Sequence, residues 1–504
     1  MDPTSVPSFP PAFPLSRAAS EQTFNDPIHG HFGLEAECCK VIDTPQFQRL
    51  REVKQLGTTY YIFPGACHNR FEHSLGVSHL ATQVVHNLSG TQKELGITRS
   101  DMRVVQLAGL CHDLGHAPFS HMFEYEFLPR VWNQEQMKLH SHEQMSADML
   151  DFIIEENCID DYTKDEVDRA KGMICSSLAG AGSSRGGGLG DGKGFLKEIV
   201  ANGRSGVDVD KFDYLERDCH YAGIKASCNF SRLYTHMRVI GDEICYKASE
   251  AWNIYDLFQT RASLFKKVYQ HRKGKAVEYM VVDALLEAEP VLKLTEKLAG
   301  GPREFQKLDD TILKRIEWGP EPELWKAQEI VKRLRTRDLY RYVDEYTVPE
   351  AELQSWPDVT PEEIVARQDT GKMGVDLRPE DVIVQNMKVD FGSKNKNPVD
   401  NVNFYSDYHS AQHKFSIARE HVSTLLPAVF MERRVRVYSR SRDQKTFDAI
   451  KFAFDEFKKE SQKKFSSKHG LDIVLGTPER SVRPRIAAPR LPPTGRYSLF
   501  GDNA

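Results

Sequence analysis

The sequence predicts a mainly α protein: a helical body over residues 22–345, then a small α+β lobe over residues 346–460. Three observations lead there. Apolar residues recur at helical spacing through most of the first 345 residues. Apart from a hairpin at its start, strand-like runs gather beyond that point. No internal repeat of solenoid period interrupts the pattern.

In chain order, residues 1–21 are Pro/Ser-rich and read as a disordered tail. The run TFNDPIHGHFG (23–33) reads as a hairpin turning at His29-Gly30. Val77, Leu80, Ala81, Val84, Val85 and Leu88 then mark one face of a helix, and His73 stands at the start of that face. A second apolar run, Val104 to Cys111, ends at His112-Asp113 and continues through a Gly/Pro stop to His116 and His121. Residues 176–194 carry eight glycines and read as a flexible loop. Order resumes at Phe195–Val200, and a helix carrying Asp210, Lys211, Tyr214 and Asp218 follows. Within the lobe, 382–384, 402–405 and 435–438 look like strands and 442–460 like a helix. The segment from 461 to 504, with eight Lys/Arg against three acids, reads as a loose basic tail.

Composition sets outer bounds. A chain of 504 residues with 40% apolar and 28% charged residues is ordinary for a globular protein with one large core or two lobes. No run of about 18 apolar residues occurs, so no membrane span is expected. The first 20 residues lack a cationic segment before an apolar core and do not form a secretory signal. Nine cysteines, all before residue 246 and without CxxC spacing, favour a reducing compartment, nucleus or cytoplasm. A net charge of −5 argues against wholesale wrapping of nucleic acid but allows a local basic pocket for a polyphosphate.

The chemistry concentrates in a few residues. His112 and Asp113 close an apolar helix, where unpaired polar groups would cost several kcal/mol. His73 and Asp210 supply two more ligand types from separate helices. Taken singly, a buried histidine is as readily a hydrogen-bonded core residue, and an aspartate a cap. Together, imidazoles and carboxylates suit a divalent metal, Zn, Fe, Mn or Mg. Lys211, Tyr214 and Asp218 share one helix face and could grip a phosphate chain and a sugar hydroxyl; the plainer reading is a solvated face with a weak ion pair. Arg261 and Tyr269 stand on one side of a later helix, with Gln270, His271 and Arg272 beyond. Phosphate-cradling GxxxxGK[ST] loops and nucleophile elbows are missing, which favours metal-assisted hydrolysis over covalent catalysis.

The wording around these residues is more specific still. NDPIHGH (25–31), IDTPQFQRLR (42–51), KQLG (54–57), HNRFEHSLGV (68–77), HDLGHAPFSH (112–121), DVDKFDYLERDCH (208–220) and YQHR (269–272) closely resemble the SAM-and-HD-domain deoxynucleoside triphosphate triphosphohydrolases, over roughly residues 22–460. That resemblance implies an HD-domain helical catalytic body and the release of deoxynucleoside and inorganic triphosphate from a dNTP. It assigns the metal to His73, His112, Asp113 and Asp210. It assigns phosphate contacts to Arg70, Lys211, Tyr214 and Arg261, the 3′-hydroxyl to Gln55 and Asp218, the sugar to Tyr269 and the base to Gln270. His121 matches the general acid, and His116 and His142 a proton relay. Its third member, an aspartate in the family, is Glu124 here.

Regulation is implied as well. Asp43, Gln48 and Arg51 match a GTP activator site, and Asn25, Arg232, Asn253, His271 and Arg272 a dNTP activator site, within a nucleotide-assembled homotetramer. Gln22 and Ser249 replace expected cations, and the region after Tyr342 is acidic, so weakened or altered activation is expected. No SAM module is expected before the body. In the tail, Thr477 matches a proline-directed phosphorylation site, and Arg496–Phe500 a cyclin-docking motif that would recruit a cyclin/kinase pair. Two rival readings share the residues: an HD phosphodiesterase on another nucleotide, and a single-stranded nucleic-acid binder with a structural metal.

Overall fold

The computed structural model describes residues 22–138, 140–177, 192–225, 230–392, 395–406 and 413–469. Thr477, Arg496–Phe500 and most of the glycine-rich stretch lie outside these residues.

The hairpin forms as expected. β1 (Gln22–Asp26) pairs antiparallel with β2 (Gly30–Leu34), setting Phe24 opposite Phe32, and Gly30 takes the turn at φ 72°. Helix α1 (Arg70–Thr91) begins where the Glu72 carboxylate accepts from the Asn69 N–H at 2.7 Å. It buries Val77, Leu80, Ala81, Val84, Val85 and Leu88. Helix α2 (Arg99–Cys111), capped by Thr98 and Asp101, crosses it closely. Gly109 makes that approach possible, because a Cβ there would stand 3.2 Å from that of Ala81. Helices α3 (His142–Glu156), α4 (Val209–Tyr221), α5 (Ala251–Leu264) and α6 (Arg272–Leu292) complete the parts of the body that bear on the site. The Asp208 carboxylate caps α4 by accepting from the Lys211 N–H at 3.1 Å, which fixes where Asp210 and Lys211 project.

Strands also occur inside the body. β3 (Arg238–Ile240) pairs antiparallel with β4 (Glu243–Lys247). The lobe sheet is β5 (Arg341–Thr347), β6 (Val382–Asp390) and β8 (Met431–Ser439), in the order β5-β8-β6 and wholly antiparallel. The run at 402–405, read as lobe, becomes β7 (Asn403–Tyr405) and pairs parallel with β4 of the body. Three residues of strand are too few to specify a partner locally, so the core under Phe404 decides.

Helix α7 (Gln444–His469) packs Ile450, Ala453, Phe454 and Phe457 on Tyr346, Val382, Val435 and Val437 of the lobe. It runs nine residues past the expected end of order at 460. Ser461 and Phe465, four and eight residues after Phe457, are buried and extend the same face. Among the described residues no helix is long and apolar enough to cross a membrane. Phe465→Ala should destabilise the lobe by about 3 kcal/mol, read as a lower midpoint in thermal unfolding; an unchanged midpoint would place this turn outside the fold.

Candidate active site

The end of α2, the start of α1 and the first turn of α4 meet at one point. The His73 Nε2 lies 3.2 Å from Asp210 Oδ1 and 3.3 Å from Asp113 Oδ2. The His112 Nε2 lies 3.5 Å from Asp113 Oδ1 and 3.6 Å from Asp210 Oδ1. These are the separations of ligand atoms sharing one ion at about 2.0–2.2 Å. Both Nε2 atoms are buried and lack a hydrogen-bond partner. Their outer nitrogens are committed: His73 Nδ1 donates to Asp213 Oδ2 at 2.7 Å and His112 Nδ1 to the Gly109 carbonyl at 2.9 Å. Each ring therefore turns its Nε2 toward the common point, the arrangement expected of metal-ligating histidines.

Electrostatics agree. Burial opposes ionisation of Asp113 and Asp210, yet Arg70 beside the first and His112 and His73 beside the second hold both carboxyls well below the usual range. Burial likewise disfavours a charged His73, but the Asp210 and Asp213 carboxylates beside it prevail and raise it to about 10. The cluster thus favours positive charge where the four side chains meet. The donor set of His73, His112 and Asp210 fits a divalent cation, with Asp113 standing against both histidines.

Asp213 coordinates nothing itself. Its two oxygens accept from Arg217 Nε and Nη2 at 2.8 Å each, from His29 at 2.7 Å and from His73. Arg217 reaches on to Asp26 at 2.8 Å. Gly76 is obligatory beside it, since a Cβ there would fall 2.0 Å from Asp213 Oδ1.

The candidate relay residues also converge. His116 Nε2 is 3.2 Å from Asp113 Oδ1, and its ring stacks on His142 at 4.3 Å. The His121 ring stands edge-on to His116 at 4.9 Å and lies under Tyr125 at 5.5 Å. His142 Nδ1 bonds Glu124 at 2.8 Å, so the longer acid reaches the histidine; it projects from the π-helical turn Phe123–Phe127. Gly115 lets α3 approach, because a Cβ there would meet the His142 carbonyl at 2.1 Å. Desolvation, then the neighbouring Arg70 and His142, push His121 down to about 4. Arg70 spans the site, donating to Asp113 at 2.6 Å and to Ser120 Oγ at 3.1 Å.

Of the substrate candidates, Lys211 and Tyr214 lie within electrostatic reach of Arg261, whose Nη1 donates to the Asp390 carbonyl at 3.1 Å. Asp218 accepts from the Tyr269 hydroxyl and bonds His68 at 2.7 Å. The Gln55 Oε1 is buried without a partner. Gln270 Oε1 accepts from Gln385 of the lobe at 2.6 Å. Arg261 and Tyr269 are joined less simply than one helix face, because a π-helical turn, Phe265–Tyr269, intervenes and shifts the register.

The activator candidates fall into groups. Gln48 accepts from Arg51 at 2.7 Å, and Asp43 accepts from Gln22 at 2.9 Å. Arg232 and Asn253 both donate to Glu250, at 2.6 and 2.5 Å. Asn25 sits in β1, while His271 and Arg272 pack instead against Phe63 and Tyr342.

The reading of the sequence missed His29, His68, Asp213 and Arg217. Asp213 and Arg217 were legible as spacing, three and seven residues after Asp210 on one helix, whereas His29 and His68 carry no local signal.

This geometry is that of an HD-domain metal site, and a family model for the HD domain matches residues 70–162. The chain is 42% identical over 429 residues to the deoxynucleoside triphosphate triphosphohydrolase SAMHD1 homolog of Dictyostelium discoideum, covering 85% of this chain and 79% of that protein. It is 38% identical to the deoxynucleoside triphosphate triphosphohydrolase SAMHD1 of Homo sapiens, covering 91% and 77%, and 38% identical to that of Xenopus laevis, covering 90% and 76%. The chain belongs to the SAMHD1 family.

Asp213→Ala should lower metal affinity about 10- to 100-fold by freeing the His73 ring. It should also cost about 3 kcal/mol of stability by removing one of the two carboxylates that pair the buried Arg217, Asp26 being the other. Metal content after dialysis and the unfolding midpoint measure the two effects; full metal retention with an unchanged midpoint contradicts the assignment.

Proposed function

We propose that this chain hydrolyses deoxynucleoside triphosphates to deoxynucleoside and inorganic triphosphate, with a divalent metal held by His73, His112, Asp113 and Asp210. The observation that carries this reading is the pair of partnerless, buried Nε2 atoms facing two carboxylates, with the cations Arg70 at Asp113 and Lys211 near Asp210. The names of the relatives above support the substrate class. When bound, the metal supplies Lewis acidity and offsets charge at the α-phosphate.

The residues divide the remaining work. Arg70, Lys211, Tyr214 and Arg261 hold the phosphate chain, and Gln55 and Asp218 hold the 3′-hydroxyl. Tyr269 closes on the sugar where a 2′-hydroxyl would sit, excluding ribonucleotides, and Gln270 borders the base. A water oxygen bonds to the α-phosphorus as the Pα–O5′ bond breaks, and the proton this water gives up passes to solvent. The electron pair passes to O5′, which takes a proton from His121 and departs as the deoxynucleoside. His116, His142 and Glu124 carry protons onward. His121, near 4 in the free protein, is raised when the triphosphate brings negative charge beside it.

Regulation belongs to the same reading: GTP at Asp43, Gln48 and Arg51, a dNTP at Asn25, Arg232, Asn253, His271 and Arg272, and a homotetramer, acting in the nucleus or cytoplasm. Weakened activation is favoured by the lobe, where Glu345 already engages Arg434 and Arg436. Phosphorylation at Thr477, docking of a cyclin/kinase pair at Arg496–Phe500 and single-stranded nucleic-acid binding remain parts of the proposal that rest on the resemblance.

Incubation with each dNTP and a divalent metal, with and without GTP, should release triphosphate; a nucleoside monophosphate product would instead establish a phosphodiesterase. Asp210→Ala should abolish turnover and spare nucleic-acid binding. The basic limb of kcat should lie at higher pH than that of kcat/KM, because the first reports His121 with substrate bound and the second without. Coincident limbs would remove His121 as the acid.

A further inference from the structure

We propose that Asp310 is a positioning residue for this reaction, holding the turn that aims His121 and the segment that carries Gln55 in one register. The inference rests on the proposed acid role of His121 and on a backbone feature that role does not require. Phe119 and Ser120, immediately before His121, have φ of 59° and 56°. Two successive non-glycine residues in the left-handed region persist only where their surroundings hold them.

The holding groups are specific. Asp310 lies in the connection between the short helices Pro302–Phe305 and Ile312–Trp318. Its Oδ1 accepts from the Phe119 N–H at 2.6 Å and its Oδ2 from the Lys54 N–H at 3.0 Å. Its own N–H donates to the Glu52 carbonyl at 3.0 Å. Ser120 Oγ closes the loop, donating to the Lys54 carbonyl at 2.8 Å while accepting from Arg70. Gly57 packs against the same turn, because a Cβ there would lie 2.7 Å from the Phe119 carbonyl oxygen. One carboxylate thus joins the residue two places before His121 to the residue before Gln55. The neighbouring Asp309 does ordinary local work, accepting from the Thr311 N–H at 2.8 Å.

Asp310→Asn tests this, since an amide offers one acceptor oxygen and turns its NH2 toward the other N–H. On dATP, kcat should fall about 10- to 100-fold, the scale of a misplaced catalytic group, with KM within about threefold and metal content unchanged. Asp309→Asn should leave kcat as it is. In a His121→Ala background, Asp310→Asn should change the residual rate less than about twofold, because residues acting through one another are not additive. The proposal is overturned by an unchanged kcat, by a loss confined to KM, by a loss that tracks metal content, or by multiplicative losses in the double variant. Should Asp310→Asn fail to fold, Asp310→Glu, which keeps both acceptors but displaces them, is read by the same criteria. A wild-type protein that releases no triphosphate sinks the functional reading itself, and this proposal with it.

Discussion

The site depends on one buried carboxylate that binds no ligand. Asp213 sits where α1, α4 and the β1–β2 hairpin meet and satisfies His73, His29 and Arg217 at once. A charge taken out of water this completely is tolerated only when paired and fully hydrogen-bonded, and Arg217, shared with Asp26, supplies that pairing. The consequence is directional. With Nδ1 of His73 engaged, Nε2 can only face Asp113 and Asp210. Gly76 is part of the same arrangement, since any side chain there would occupy the space of the carboxylate.

Around that anchor the charges are sorted by sign. Carboxylates of Asp113 and Asp210 face the inner nitrogens of two histidines, while Arg70, Lys211 and Arg261 line the approach. Arg70 touches both regions, bonding Asp113 and Ser120, so the candidate metal ligands and the His121 turn are mechanically one unit. His116 plays the matching part on the other side, placed between Asp113 and the stacked His142.

The lobe is more than an appendage. Gln385 of β6 and Arg436 of β8 both bond Gln270, and the Asp390 carbonyl at the end of β6 holds Arg261. These strands owe their position to α7, whose apolar face covers the sheet through Phe454 and Phe457. The added turns through Ser461 and Phe465 lengthen that cover. Core packing in the lobe therefore reaches Arg261 and Gln270 of the body through hydrogen bonds.

Local pattern determined a good deal by itself. The apolar period from Val77 to Leu88, the run into His112-Asp113, the hairpin turn at Gly30 and the lobe strands β6 and β8 were legible, because spacing along the chain fixes which residues share a face; β5, across the expected boundary, was not. The candidate ligands His73, His112, Asp113 and Asp210 were legible as residue types on or beside buried helices. What tertiary structure decided was partnership over long separations. His29 with Asp213, His68 with Asp218 and Asp310 with Phe119 join residues more than 140 positions apart. The parallel pairing of β7 with β4 and the helical turns beyond residue 460 belong to the same class. A hydrogen bond between distant residues leaves no periodic trace in sequence, since only the packing of whole helices brings donor and acceptor within 3 Å of each other.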